Sequence, residues 1–276
     1  MSNDDFRSFD VNFDEERMAE LLGTAASRLT AGGDPEKLVE GVLSRGVDRF
    51  FACDSPIGEV YVGVGPKGVR LVRRGGSPEE FARSYRRRFK RLLVEGTDAE
   101  TRKLARRVAA ALAGEWVEVP LDLSQTTPFQ RRVLEVVRGI PWGEVRPYLW
   151  VAREAGSPKA SRAVGTVMAN NPVPLLVPCH RVVKNDGHTG NYAFGADEKT
   201  KLLRLEDVSP EEVAQAPYVA TPTTGIVCHA TCRNARRIRP ENRRPFRSAS
   251  EAVRDGYRLC RVCRPVATPS DSLSAT

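Results

Sequence analysis

"SPKASRAVGTVMANNPVPLLVPCHRVV", Ser157 to Val183, passes from a helical pattern into a stiff apolar segment and ends on adjacent Cys179 and His180. Pro172, Pro174 and Pro178 fix φ and remove backbone donors, so the segment has few conformations. Such stiffness suits a nucleophile that must meet its target with little motion. A free thiol is only slightly ionised near neutral pH, and a neighbouring base or cation raises the thiolate fraction. His180 is next in sequence, yet adjacent side chains in extended chain point to opposite faces. A water or a third group would have to link the two. On its own, the Cys–His pair reads as an inert buried thiol beside a satisfied histidine; the segments around it change that reading.

Upstream, "TPFQRRVLEVVRGI" predicts a helix capped by Thr127–Pro128. "GEVRPYLWVAREAG" and "SPKASRAVGTVMANN" predict two further short helices, broken at Gly156–Ser157–Pro158. Two helices about a tight Gly-containing turn suggest a helix-turn-helix. Downstream, "KNDGHTGNYAFGADEK" is a Gly-rich loop and "EKTKLLRLED" a helix. Residues 49–74 alternate apolar and polar around Gly58 and Pro66–Gly68, the pattern of a β-meander. "SPEEFARSYRRRFKRLL" starts a helix at Ser77–Pro78, with Phe81, Tyr85 and Phe89 facing inward. Residues 101–113 predict another. Residues 1–47 read as two short amphipathic helices without chemistry, a scaffold extension.

The 276 residues allow two or three domains, and 41% hydrophobic with 28% charged residues is ordinary for a soluble globular chain. No stretch approaches the ~20 apolar residues of a membrane span, so no membrane partner is expected. The acidic start "MSNDDFRSFDVNFDEER" does not read as a secretory signal. Six cysteines without an export signal point to a reducing cytoplasm. Net charge is +8, and residues 222–268 alone hold eleven Arg, no Lys and three acids. That concentration points to a polyanion partner for the C-terminal segment, or else to a solvated basic face.

"PCHRVV", preceded by "NPVPLLV" and "SPKASRAVG" and followed by "GNYAFG" and "LLRLE", resembles the O6-alkylguanine-DNA alkyltransferases in order and spacing over roughly residues 49–208. The resemblance implies an RNase-H-like domain followed by a winged helix-turn-helix domain. It implies that Cys179 accepts the alkyl group, with His180, Glu206 and a water drawing off the thiol proton. Tyr148 would donate a hydrogen bond to the guanine, and Asn171 would tie the recognition helix to the active-site segment. Arg162 would fill the stack left by the flipped base. The backbone of Cys179 and Val182 would receive the guanine amine. Tyr192 and Ala193 would lie on the closing loop, with Pro174 packed against it. No S-adenosylmethionine is implied, because the DNA is the methyl donor. Bulky Leu149–Trp150 stand where the family commonly has small or polar residues and Phe194 where Trp or Gly is more usual, departures that are expected to narrow the pocket.

"CHATC" and "CRVC" place Cys228, Cys232, Cys260 and Cys263 in a C-x3-C…C-x2-C set, a strong signal for a tetrahedral structural Zn²⁺. The surrounding stretch, about residues 217–266, resembles the zinc domain of Ada-type methyl acceptors. There the first ligand cysteine also accepts a methyl from a methylphosphotriester, which here implies Cys228. His229 stands where that family commonly has an Arg on phosphate. Ser209 with Glu212 predicts a capping box, and so a short helix between the modules.

The expected protein is an α/β (α+β) chain. It has a helical extension (1–47), an RNase-H-like domain (48–120), a winged-helix catalytic domain (121–208), a linker (209–216), a zinc domain (217–268) and a disordered tail (269–276). It is expected to be a cytoplasmic monomer that acts once on double-stranded DNA containing O6-alkylguanine. The alternative is a damage-binding protein whose zinc module only docks on DNA.

Overall fold

The computed structural model describes residues 46–267. The helices expected over residues 1–47 lie outside the described residues except for Gly46–Val47, and so does the tail 269–276.

The meander forms as its alternation requires. β1 (Val47–Cys53), β2 (Val60–Gly65) and β3 (Gly68–Arg74) pair antiparallel, and β4 (Leu92–Glu95) adds to β1 in parallel, giving the order β3-β2-β1-β4. α1 (Pro78–Phe89) starts at Ser77 with both arms of a capping box and buries Phe81, Tyr85 and Phe89 on the sheet. α2 (Ala99–Leu112) is capped by Asp98 and buries Thr101, Val108 and Leu112. One buried carboxylate ties this layer together. Asp48 accepts from Arg91 Nε at 2.7 Å, Arg70 Nη1 at 2.8 Å and the Tyr85 hydroxyl at 2.7 Å.

α3 (Pro128–Arg138) opens with a Thr127–Gln130 capping box. The helix expected from Gly143 does not begin there. Arg146–Pro147 form β5, parallel to β6 (Val182–Val183), and the helix α4 runs only Tyr148–Glu154. The reason is local: Pro147 disfavours helical backbone at the residue before it and suits the edge of a strand pair. α5 (Ser161–Ala169) follows a turn at Gly156 with φ +74°. α6 (Ala196–Leu205) leads to Glu206. The main core runs without a break from Phe51, Val60 and Val62 through Val133, Leu134 and Val151 to Val173, Cys179 and Val182.

α7 (Pro210–Gln215) is capped by Ser209, whose hydroxyl accepts from Glu212 N at 3.2 Å. Only that arm of the expected capping box forms, and the Ser209 hydroxyl donates to Glu211 Oε2 at 3.2 Å. Val213 packs with Val145, Val183, Leu203 and Val208, so α7 is a packed element. Beyond it β7 (Tyr218–Thr221), β8 (Ile226–His229), β9 (Arg244–Phe246) and β10 (Arg258–Leu259) form a small sheet in the order β10-β8-β7-β9. α8 (Arg233–Arg236) and α9 (Ala249–Arg254) complete this module, whose core is Tyr218, Ala220, Val227, Phe246, Ala249 and Ala252.

Replacing Asp48 with Ala leaves Arg91, Tyr85 and one arm of Arg70 without their buried acceptor. Urea unfolding of Asp48→Ala should show a loss of about 3–5 kcal/mol; a loss within ±0.5 kcal/mol would mean that this cluster does not organise the sheet.

Candidate active site and metal centre

Cys179 opens a single 3-10 turn, Cys179–Arg181, at the end of the proline-rich segment, and only 3% of it is exposed. Asn171 shapes that segment. Its side chain donates to the carbonyl of Val177 at 2.9 Å and accepts from Val173 N at 3.1 Å. The end of α5 is thereby tied to the loop that carries the thiol. Leu175 sits at φ +72°, a left-handed backbone that a β-turn chain of this stiffness imposes on a non-glycine residue. Burial pushes the Cys179 thiol above its ordinary value, while the Asn171 side chain and the Lys199 charge act the other way. The resting group is therefore a thiol, and its proton must be removed for it to act as a nucleophile.

His180 and Glu206 supply the means. His180 Nε2 lies 2.8 Å from Glu206 Oε1, both side chains being buried. Arg181 closes the same carboxylate from the other side, with Nε on Oε2 at 2.8 Å and Nη2 on Oε1 at 2.9 Å. Gly143 N adds a backbone hydrogen bond to Oε2 at 3.1 Å. Burial alone would raise the Glu206 carboxyl, but the hydrogen bonds from His180 and the Arg181 guanidinium hold it down to about 2. Burial keeps His180 below its ordinary value, hence neutral at pH 7. An ionised carboxylate accepts, so Nε2 carries the proton and Nδ1 has the lone pair. His180 Nδ1 is buried and bonded to no protein atom among the described residues.

A cavity of about 390 Å³ opens onto the thiol, lined by Tyr148, Met168, Cys179, Lys184, Tyr192 and Ala193 with Gly165 and Gly190. That is within the range of small-ligand sites. Tyr192 packs edge-on to His180 at 6.2 Å, and its buried hydroxyl has no partner among the described residues. Tyr148, the first residue of α4, is half-buried, and burial raises its phenol. Arg162 stands exposed in the first turn of α5, the helix whose Gly165 and Met168 line the cavity. A larger cavity of about 660 Å³ lies between α7 and the C-terminal module, and no cysteine lines it.

Other expected residues lie away from the cavity. The carbonyl of Val182 accepts from Lys199 Nζ at 2.6 Å, and Val182 and Pro174 lie outside the cavity lining. Leu149, Trp150 and Phe194 do not line the cavity either. Phe194 stacks edge-on against Tyr192 at 5.6 Å, and the Trp150 indole donates to the carbonyl of Cys263 at 2.9 Å. Lys199 itself was missed. It is fully buried, donates to the carbonyls of Val182 and Thr189, and burial draws its ammonium down to about 8. The signal was present: Lys199, Leu202, Leu203 and Glu206 share one helix face at i, i+3, i+4 and i+7.

The four sulfurs of Cys228, Cys232, Cys260 and Cys263 lie within 4.8 Å of one another, all buried. That cluster fits one tetrahedral ion at Zn–S ≈ 2.3 Å. Thiols this close cannot ionise together without a cation. Hydrogen bonding with Cys232, then Cys263, pushes the Cys228 thiol up, while bonding with Cys228 holds Cys232 down. A divalent ion resolves that conflict by holding all four as thiolates. His229 N donates to Cys263 Sγ at 3.4 Å and Asn234 Nδ2 to Cys260 Sγ at 3.7 Å, bonds that favour thiolate ligands. The His229 ring is no ligand. It is 3% exposed, packs on Tyr218 at 5.3 Å and meets no phosphate-accessible surface.

Comparison with known proteins bears on both centres. Residues 128–208 match the family described as 6-O-methylguanine DNA methyltransferase, DNA binding domain, and residues 210–266 match the metal binding domain of Ada. A methylated-DNA–protein-cysteine methyltransferase of Methanosarcina acetivorans is 34% identical over 162 residues, 57% of this chain and 97% of that protein. The Escherichia coli bifunctional transcriptional activator/DNA repair enzyme Ada is 29% identical over 194 residues, 70% of this chain and 52% of that protein. The chain thus spans about half the length of that relative. A crystal structure of the Mycobacterium tuberculosis O6-methylguanine methyltransferase covers 58% of this chain and 91% of its own, at 32% identity and a TM-score of 0.44.

The state of Glu206 has a consequence for stability. Its folded value, about 2, lies below the ordinary 4.5. The unfolded chain therefore binds that proton more tightly, and the stabilisation is full above about pH 4.5 and lost as pH falls towards 2. Relative to Glu206→Gln, the wild type should be more stable by on the order of 3 kcal/mol near neutrality. Urea titrations of both proteins should show that gap narrowing steadily below about pH 4.5. A gap independent of pH would show that folding leaves the Glu206 carboxyl at its ordinary value.

Proposed function

The chain belongs to the methylated-DNA–protein-cysteine methyltransferases, with an Ada-type zinc domain, and from that premise we propose how its own residues divide the work. Cys179 is the acceptor for the alkyl group of O6-alkylguanine. The observation that carries this is the buried thiol at the floor of the cavity, beside a neutral histidine clamped by Glu206. The thiol proton passes, through a water, to the lone pair of His180 Nδ1. The thiolate attacks the alkyl carbon, a sulfur–carbon bond forms, and the carbon–O6 bond breaks. The electron pair goes to the guanine, which Tyr148 meets with its hydroxyl and which recovers the proton. The product is a thioether, a poor leaving group. Each molecule therefore acts once.

The target atom is stacked inside a duplex, so the nucleotide must leave the helix at a cost of a few kcal/mol. Arg162, exposed at the head of α5, takes the place of the flipped base. Tyr192 and Ala193 close over it from the Gly-rich loop. Double-stranded DNA carrying the lesion is the partner, met by a monomer in the cytoplasm. Residues 48–120, 121–208, 209–216 and 217–268 act as a supporting domain, catalytic domain, linker and zinc domain.

Cys228 is the candidate for a second transfer, from a methylphosphotriester. Its zinc-held thiolate would attack the methyl carbon and release the phosphodiester with the electron pair. Exposure narrows the choice to Cys228 and Cys260, each 3% exposed, because Cys232 and Cys263 are fully buried. Methylation would remove one negative charge beside a strongly basic surface, and DNA affinity would then rise in a salt-dependent way. The burial of His229 removes one phosphate contact from this second site.

Two measurements check these assignments. Cys179→Ala should bind O6-methylguanine duplex DNA yet take up no methyl from the base, and Arg162→Ala should slow transfer from duplex DNA far more than from free O6-benzylguanine. Equal losses on both substrates would assign Arg162 to the fold instead of to base flipping. For Cys228, Cys179→Ala with full zinc should gain one methyl mass from an oligonucleotide containing only a methylphosphotriester. No gain in mass would make the module a DNA-docking element without transfer.

A further inference from the structure

The C-terminal module does not hang free of the alkyl-acceptor site. It is bound to the segment Gly143–Glu154 through a line of polar contacts. Val145 N donates to Thr231 Oγ1 at 2.9 Å, and Arg233 N donates to Glu144 Oε1 at 3.0 Å. Arg236 donates to the carbonyl of Gly143. The Trp150 indole reaches the carbonyl of Cys263, and Arg153 reaches the carbonyl of Pro265 at 3.2 Å. Thr231, Glu144, Val145 and Trp150 are all buried.

Every partner on the module side lies within four residues of a cysteine of the four-sulfur cluster. Thr231 and Arg233 flank Cys232, Cys232 caps the helix that carries Arg236, and Cys263 is itself a ligand. The docking edge therefore keeps its form only while the four sulfurs are held together. On the other side, the segment that receives these contacts is the one that touches the chemistry. Gly143 N donates to Glu206 Oε2, and Arg146–Pro147 pair with Val182–Val183 directly after the Cys179–Arg181 turn. Gly143 is pinched between the two parts. It sits at φ +73°, and a Cβ there would meet Arg236 Nη2 at 2.8 Å and the Glu206 carbonyl at 2.9 Å.

We infer that the zinc module buttresses the alkyl-acceptor site from outside: Arg236 and Thr231 hold the Gly143–Pro147 segment, and that segment holds the Glu206 carboxylate where it orients His180. Arg236 and Thr231 are thus positioning residues for a reaction they do not touch. The inference rests on Cys179 being the acceptor. It also explains Trp150, whose bulk serves the docking contact and leaves the cavity alone.

The test uses the full-length, zinc-loaded protein and free O6-benzylguanine, a substrate with no phosphate for an arginine to grip. Arg236→Ala and Thr231→Val should slow benzyl transfer to Cys179 roughly tenfold, the scale of a small misplacement at a reacting centre. Their rate–pH profiles should move to higher pH, because the thiol keeps its proton longer when His180 is poorly oriented. Amide exchange at Gly143 and Val145 should speed up in the same variants with zinc content unchanged. Arg236→Lys and Thr231→Ser, which keep a donor and an acceptor, should recover most of the rate. Chelation of the wild-type protein should reproduce the faster exchange at Gly143. Wild-type rates and wild-type exchange in the folded, zinc-loaded Ala and Val variants would overturn the inference. A wild-type protein that takes up no benzyl group at Cys179 would instead sink the acceptor assignment beneath it.

Discussion

One carboxylate meets four demands at once. Glu206 accepts from His180, from Arg181 twice and from the backbone of Gly143. An anion this deeply buried is costly unless its oxygens are filled with donors, and here they are. The same bonds that make the charge tolerable also decide the chemistry. They put the imidazole proton on Nε2, leave Nδ1 as a base, and fix the distance between α6 and the turn that carries Cys179. The fold around the site can be read as the set of elements needed to bring those donors to one point.

The thiol and its base pull in opposite directions, and that opposition is functional. Burial raises the Cys179 thiol and lowers the basicity of His180. A thiolate left exposed would be alkylated or oxidised indiscriminately. A thiol kept protonated until a guanine fills the cavity is spared for its one reaction. Lys199 contributes by charge from behind the turn, anchored on the carbonyls of Val182 and Thr189. The prolines and Asn171 hold the loop rigid, so little motion is needed once the base arrives.

Much of this was legible in the chain because it is local. Ser77 and Thr127 start their helices through capping boxes that three residues of sequence spell out. The cysteine spacing of the C-terminal module dictates a four-sulfur cluster, and the cluster is there. What escaped is non-local. The strand at Arg146–Pro147 exists because Val182–Val183 lies beside it, which no window around Pro147 reveals. Lys199 stands out only when its helix face is counted together with Leu202, Leu203 and Glu206. Trp150 was weighed against a pocket, yet its indole is spent on the contact with Cys263 of the C-terminal module, a surface that sequence patterns do not encode; His229, weighed against a phosphate, is buried on Tyr218 instead.

The central claim is that Glu206 holds His180 neutral, protonated on Nε2, with Nδ1 free to take the thiol proton. Nitrogen-15 NMR of the His180 ring in the full-length protein near pH 7 tests it directly. The account predicts the neutral Nε2–H tautomer in the wild type and its loss in Glu206→Gln. An imidazolium, or a ring protonated on Nδ1 and indifferent to Glu206, would contradict it.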